Sequence, residues 1–365
     1  MRRFEKITIV IFLNLSFAMT TRNATIDIAR GIGIILVVLG HNWMVTHEKG
    51  ELFRIIFSFH VPLFFFLSGL FLNDSHRVKQ FIRSKADVLL KPYLVVLTFI
   101  GIVKLLKAIV ISTEDTSPLT YLFGVIYATG DTIAWMPLWF LPHLFLASVI
   151  SMLILRTTID LKNRAAWICF VSSLLLSIGI YSIERLLPTF YDMNRWAGLP
   201  WSFDLMPISM AFILFGFLLR EQTKLMNFRL SSLVISTIAF TALHYYFNET
   251  MDLNRRIYGN PLISSLQAVI GIYIILSISS FLQRFTTLRR LLAYIGSGSL
   301  FILIFHSVIQ EVAFLKLSRI SHNNYINVMV SLFIGVSLPL VILEITKRQR
   351  YLAVLLLPWK SQLSR

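Results

Sequence analysis

Cysteine is nearly absent from this sequence: the 365 residues hold one, Cys169. A single thiol excludes an intramolecular disulfide framework and a thiolate-rich metal site. Charge is also scarce, at 14% of residues against roughly 25% in an ordinary soluble domain. Acids are the scarcer sign, with 18 Asp and Glu against 34 Lys and Arg, for a net charge of +16. With 56% hydrophobic residues and a mean hydropathy of +0.73, the composition excludes a soluble cytosolic enzyme. In a soluble chain such a basic balance would suggest a nucleic-acid partner. Here the apolar runs are long enough to cross a bilayer, and excess Lys and Arg in such chains mark cytoplasmic loops instead. No nucleic-acid partner is expected.

What the sequence has in abundance is apolar run. A spanning helix needs about 20 mostly apolar residues, and such runs fall in ten windows: 26–46, 52–72, 92–112, 138–156, 165–185, 205–219, 230–247, 261–282, 291–311 and 325–345. The fold class is therefore all-α, a polytopic transmembrane helical bundle of about ten spans. No internal repeat is visible, no loop is long enough for a soluble domain, and Phe64–Phe66 is the only notable low-complexity feature. Residues 1–21 read as an N-terminal leader or a mis-assigned start, 22–346 as the transmembrane domain, and 347–365 as a basic cytoplasmic tail. Arg2, Arg3 and Lys6 ahead of the apolar Ile7–Phe17 stretch also resemble a secretory signal peptide. Cleavage there would invert the loop charges described next, which argues against it.

With the N-terminus inside, 23 of the 34 Lys and Arg fall on inner segments, 7 on outer ones and 4 within spans. This asymmetry sets the orientation and supports an even number of spans. The outer 113–137 segment carries Glu114, Asp115 and Asp131 without a single Lys or Arg.

Ionisable groups within spans are expensive and normally face the bundle interior or a wet cavity. Asp27 and Arg30 open the first span, and His41 follows Arg30 after ten intervening residues. Eleven steps of a helix end about 20° beyond three full turns, so Arg30 and His41 share one face about 16 Å apart along the axis. Asp27 falls within about 40° of that face and makes an i,i+3 pair with Arg30. The alternating topology places His41, His60, His143 and His306 at one depth in the outer half of the bilayer, with His244 near the outer end of its span. Imidazole in apolar surroundings favours its neutral, proton-accepting form, which suits a general base. The histidines lie on different spans without i,i+3 or i,i+4 pairing, so no metal site is expected.

The segment Thr25-Ile26-Asp27-Ile28-Ala29-Arg30-Gly31-Ile32-Gly33-Ile34, running on to Leu39-Gly40-His41, resembles the opening signature of the acyltransferase 3 family of polytopic O-acyltransferases, including its fucose 4-O-acetylase-like branch. Phe57-Ser58-Phe59-His60-Val61-Pro62 through Ser68-Gly69 resembles the second signature. Lys91-Pro92-Tyr93-Leu94, Leu138-Trp139-Phe140-Leu141-Pro142 and Gly296–Leu300 running to His306 are similar to later landmarks. The similarity covers about residues 22–345. It implies ten spans, acetyl-CoA as donor, and activity that depends on the Arg and His of the first span, here Arg30 and His41. The expected location is the bacterial cytoplasmic (inner) membrane, with both termini cytoplasmic as the loop charges require. The leader departs from the usual family start, and no appended extracytoplasmic hydrolase-like domain is expected.

The expected reaction is transfer of an acetyl group from cytosolic acetyl-CoA to a sugar hydroxyl of a cell-surface glycan or its lipid-linked precursor. His41, Arg30, Asp27 and His60 are the expected catalytic set. Arg30 with Arg77, Lys79, Arg83, Lys85 and Lys91 of the basic inner loop is expected to bind the phosphates. His41 acts as general base on a hydroxyl that scarcely ionises at neutral pH, while a covalent acyl-histidine is the competing mechanism. His60 is expected to support the site from behind or to position the acceptor, Ser68 to donate a hydrogen bond, and Asp27 to orient or neutralise Arg30. Glu311 and Asp204 are candidates to orient His41. Lys104 and Lys107 either meet an acidic substrate or snorkel to the interface. Trp196 and Trp201 are candidates to stack on sugars. The alternative from another class is a secondary transporter or flippase for an anionic or glycolipid substrate. Membrane lipid is a partner on either reading, and the oligomeric state is not legible.

Overall fold

The computed structural model describes residues 23–74, 77–111, 117–186 and 198–359. The expected leader, Trp196 and the last six residues lie outside them. Among the described residues all regular structure is helical apart from one isolated antiparallel bridge between Asp252 and Ile257. Each hydropathy window holds a principal helix: α1 (Ala24–Gly40), α2 (Glu51–Leu70), α3 (Val78–Ala108), α4 (Met136–Thr157), α5 (Arg164–Arg185), α6 (Pro200–Leu218), α7 (Leu230–Tyr246), α8 (Pro261–Leu282), α9 (Ser299–Leu317) and α10 (Asn324–Arg348). Eight of them, all but α1 and α7, are long and apolar enough to cross a membrane.

Two windows need correction. The first does not run on to residue 46, because the helix stops at Gly40. His41 caps it, and Asn42 turns extended so that its side chain accepts from the Met44 N–H and starts a new short helix, Trp43–Glu48. The ninth window is also broken. Residues Thr286–Ser297 form a separate helix with Arg289 and Arg290 in it, the chain turns at Gly298, and α9 begins only at Ser299. His306 therefore sits nearer the first residue of its helix than the window implied.

α1 is the hub, with Ile26, Ile28, Ala29 and Val38 all 2% exposed or less. Small residues let neighbouring backbones close on one another, as in membrane bundles generally. A Cβ at Gly31 would strike the Leu292 carbonyl, and one at Gly296 the Asp27 carbonyl, so α1 and the 286–297 helix touch main chain to main chain. Gly69 of α2 and Gly216 of α6 meet in the same way, against the Ile213 and Phe66 carbonyls. The core between these pairs is filled by Leu63, Phe65, Phe66, Leu97, Leu138 and Leu141, among others. Large apolar side chains on the outer faces, such as Phe99, Ile238 and Phe333, are exposed and form the surface that lipid would cover.

The ends of the bundle differ. At one, the basic 77–91 segment meets the helix Arg350–Leu356, whose Ala353 is buried. This part of the expected tail is thus folded onto the bundle. At the other, residues 251–258 form a compact turn with buried Met251, Leu253 and Tyr258. Glu184 accepts from the Tyr258 and Gly259 N–H groups at 2.8 and 3.2 Å and anchors it.

Candidate active site

A cavity of about 650 Å3 lies beside α1 and reaches toward both ends of the bundle, a size ordinary for small-molecule sites. Arg30, Ile34, Val37 and His41 line it from α1, which is the face that the eleven-residue spacing predicts. Ser84 and Lys85 join Arg30 at the basic end, together with Leu356, Leu357 and Pro358 of the C-terminal segment. Lys49, Asp252, Asn254 and Arg255 line the opposite end. Aromatic and aliphatic side chains, Phe57, Phe64, Trp139 and Phe140 among them, form the wall between.

Arg30 is placed by its own helix. Asp27, 6% exposed, lies one turn earlier, and its carboxylate is 3.6 Å from the guanidinium. The guanidinium also sits over the Phe71 ring, 5.2 Å from its centroid. Asp27 itself is not on the cavity wall. Cations at both ends of the cavity, Arg30 with Lys85 and Lys49 with Arg255, favour an anionic ligand. Asp252 offsets the second pair, 3.8 Å from Arg255. Burial raises its carboxyl pKa above the usual range, while the Arg255 N–H and the charges of Arg255 and Lys49 act the other way.

His41 sits where α1 ends and the backbone turns. Its ring is 5.6 Å from His306, 5.6 Å from Phe57 and 6.3 Å from His60 between centroids. His60 opens the second half of α2, lines the cavity and has Nδ1 3.0 Å from the Ile56 carbonyl. Ser68 also lines the cavity and donates to the Phe64 carbonyl at 2.8 Å.

The histidines expected in one layer separate into groups. His41, His60 and His306 cluster. His143 is sealed in the core, with Nδ1 3.1 Å from the Trp201 carbonyl and Nε2 2.7 Å from Ser209 Oγ. His244 accepts from Gln267 and faces Ser58 Oγ at 3.4 Å, behind α2. Among the described residues no group of three or more His, Cys, Asp or Glu could hold a metal ion.

Of the basic loop residues expected to hold phosphates, only Lys85 reaches the cavity wall. Arg77, Lys79 and Arg83 are exposed away from it. Lys91 is held by Asp87 and by the Leu357 carbonyl, each at 2.6 Å. Neither carboxylate considered for orienting His41 does so: Asp204 is paired with Arg256 at 2.8 Å, and Glu311 is exposed. Trp201 is tucked inward, donating to the Ile126 carbonyl at 2.9 Å and packing near Phe145. Lys104 lies over the Tyr121 ring and Lys107 is exposed, so neither lines the cavity. Lys49, Asn254, Arg255 and the 356–358 segment were not among the expected site residues. They reach the cavity through chain reversals that leave no local signal.

Residues 23–344 match the model of a family described as an acyltransferase domain. No curated protein and no solved structure matches the chain.

Proposed function

The chain belongs to this acyltransferase 3 family, and from that premise we propose that it is an O-acetyltransferase, moving an acetyl group from cytosolic acetyl-CoA to a sugar hydroxyl of a cell-surface glycan or its lipid-linked precursor. The observation that carries the proposal is that Arg30, His41 and His60 line one cavity bounded by cations at both ends. Membership of an acyltransferase family also weighs against the transporter reading.

On this reading the basic end faces the cytosol. Arg30 and Lys85 bind phosphate oxygens of the donor, Arg30 through a fork that Lys85 lacks. The apolar wall takes the extended arm, which delivers the thioester toward His41 about 16 Å further along α1. The acceptor hydroxyl enters from the end bounded by Lys49, Asn254 and Arg255. A nitrogen of His41 takes its proton as the oxygen attacks the thioester carbonyl. The carbon–sulfur bond then breaks, and the proton passes from His41 to the departing thiolate, so that ester and thiol leave in balance. His60, on the same wall, contributes to holding the acceptor. Asp27 keeps Arg30 in its rotamer.

The test uses membranes containing the full chain, labelled acetyl-CoA and candidate glycans. Labelled O-acetyl ester is expected with the unaltered protein, and its loss in His41→Ala and Arg30→Ala while both still insert. Transfer at the unaltered rate in both variants would remove the assignment.

A further inference from the structure

His306 is absent from the cavity wall, yet its ring lies 5.6 Å from that of His41 between centroids. It packs beside the residue assigned as base and is 0% exposed. Its Nδ1 lies 2.9 Å from the Ile302 carbonyl and 3.0 Å from the Leu303 carbonyl. A carbonyl can only accept, so Nδ1 carries the hydrogen and Nε2 presents a lone pair. That Nε2 is buried and has no hydrogen-bond partner among the described residues. Buried polar atoms are nearly always paired, so an orphan acceptor beside the base calls for an explanation.

We infer that His306 is the positioning residue of His41: a small turn of either ring lets its Nε2, unpaired in this structure, take an N–H of His41, so that the opposite His41 nitrogen is left bare and aimed at the acceptor hydroxyl. This rests on the general-base role given to His41 above. Two imidazoles joined by an ordinary N–H···N bond have centroids roughly 5–6 Å apart, so the 5.6 Å separation puts the bond within reach although the rings as placed do not make it. His60 is the other imidazole near His41, but it is on the cavity wall and 6.3 Å away at an angle of 84°. A carboxylate would normally do this work, fixing the tautomer of a catalytic histidine and accepting from the imidazolium that forms. Here both candidate carboxylates are elsewhere. The backbone carbonyls of Ile302 and Leu303 take the place of a second anchor, fixing the His306 tautomer as His306 fixes that of His41. During transfer the hydroxyl proton enters His41 at its free nitrogen and leaves from the same atom to the thiolate. His306 gains and loses none.

The experiment is solid-state NMR of the full chain in bilayers with 15N-labelled histidine, joined to kinetics. In the unaltered protein a scalar coupling between His41 and His306 nitrogens is expected, with His41 in one tautomer. His306→Leu should release His41 into both tautomers and lower kcat about 100-fold, the scale of acid–base catalysis, with KM for acetyl-CoA within about twofold. His306→Gln, whose Oε1 can still accept, should recover much of that loss. The inference is overturned if the unaltered protein shows no coupling and mixed His41 tautomers, a result that needs no variant to fold. It is equally overturned if folded His306→Leu keeps kcat within about threefold. Transfer that survives in His41→Ala instead overturns the base assignment beneath it, and the two failures are distinct because the coupling is read without turnover.

Discussion

Arg256 Nε lies 2.8 Å from Asp204 Oδ2, and neither side chain is more than 3% exposed. Around this pair Arg256 also donates to Ser202 Oγ at 3.0 Å and to the Asn254 carbonyl at 2.6 Å, while the Leu199 N–H donates to Asp204. The pair joins the start of α6 to the 251–258 turn, and that turn supplies one end of the cavity. Cutting it should therefore disturb that end of the cavity without touching α1.

Removing one member of a buried ion pair strands the other charge and costs about 3–5 kcal/mol, whereas replacing both by apolar groups is much milder. Asp204→Leu and Arg256→Met should each lower the melting temperature in detergent markedly, and the double variant should melt closer to the unaltered protein than either single one. Additive losses would show that the pair is not coupled as described.

Lys85 and its basic neighbours should separate in steady-state kinetics. Lys85→Ala is expected to raise KM for acetyl-CoA about tenfold, the worth of one charge-assisted contact. Arg77→Ala, Lys79→Ala and Arg83→Ala should leave KM within about twofold, because these side chains are exposed and away from the cavity. Equal effects at all four positions would mean that the donor binds across the loop surface instead.

The main-chain contacts of Gly31 and Gly69 leave no space for a methyl group. Gly31→Ala and Gly69→Ala should each destabilise by about 1–3 kcal/mol through overpacking, read as a lower melting temperature. Gly50→Ala serves as the control. Nothing lies within 4 Å of a Cβ at that position, and its cost should stay within about 0.5 kcal/mol.

Asp74 and Arg164 tie the segment after α2 to the first residue of α5. Partial burial alone would raise the Asp74 carboxyl pKa, but the hydrogen bond and charge of Arg164, with Arg220 nearby, lower it below the usual value. Folding thus favours the ionised form. The resulting stability is fully present above the unfolded carboxylate pKa of about 3.9 and is lost as pH falls through the lower folded value. Asp74→Asn should melt below the unaltered protein at pH 7, and the gap should close as both are taken toward pH 3. A gap that stays constant would remove this linkage.

Hydropathy reveals the ten helices because outward side chains such as Phe99 and Ile238 must be apolar along the whole length that lipid covers. Helix ends obey other rules. The stop at Gly40 depends on Asn42 capping a new helix and donating to Ser331 Oγ at 2.9 Å, a partner far away in the chain. Arg30 and His41 are legible together since one helix sets both their spacing and their shared face. Depth along a span can also be read, but not the direction a side chain faces around the bundle. That is why His143, bonded to Trp201 and Ser209, looks equivalent to His306 in sequence. For the same reason five basic residues in one loop look alike until the fold brings only Lys85 of the five to the cavity wall.

The matched family region stops at residue 344, whereas Leu356, Leu357 and Pro358 still belong to the cavity wall, held there by Lys91 on the Leu357 carbonyl and by Asp87 accepting from the Trp359 N–H at 2.6 Å. An expression clone trimmed to the homology boundary would discard part of the chamber's floor along with an apparently dispensable appendage. A reporter or affinity handle attached immediately after Trp359 would stand at the same doorway.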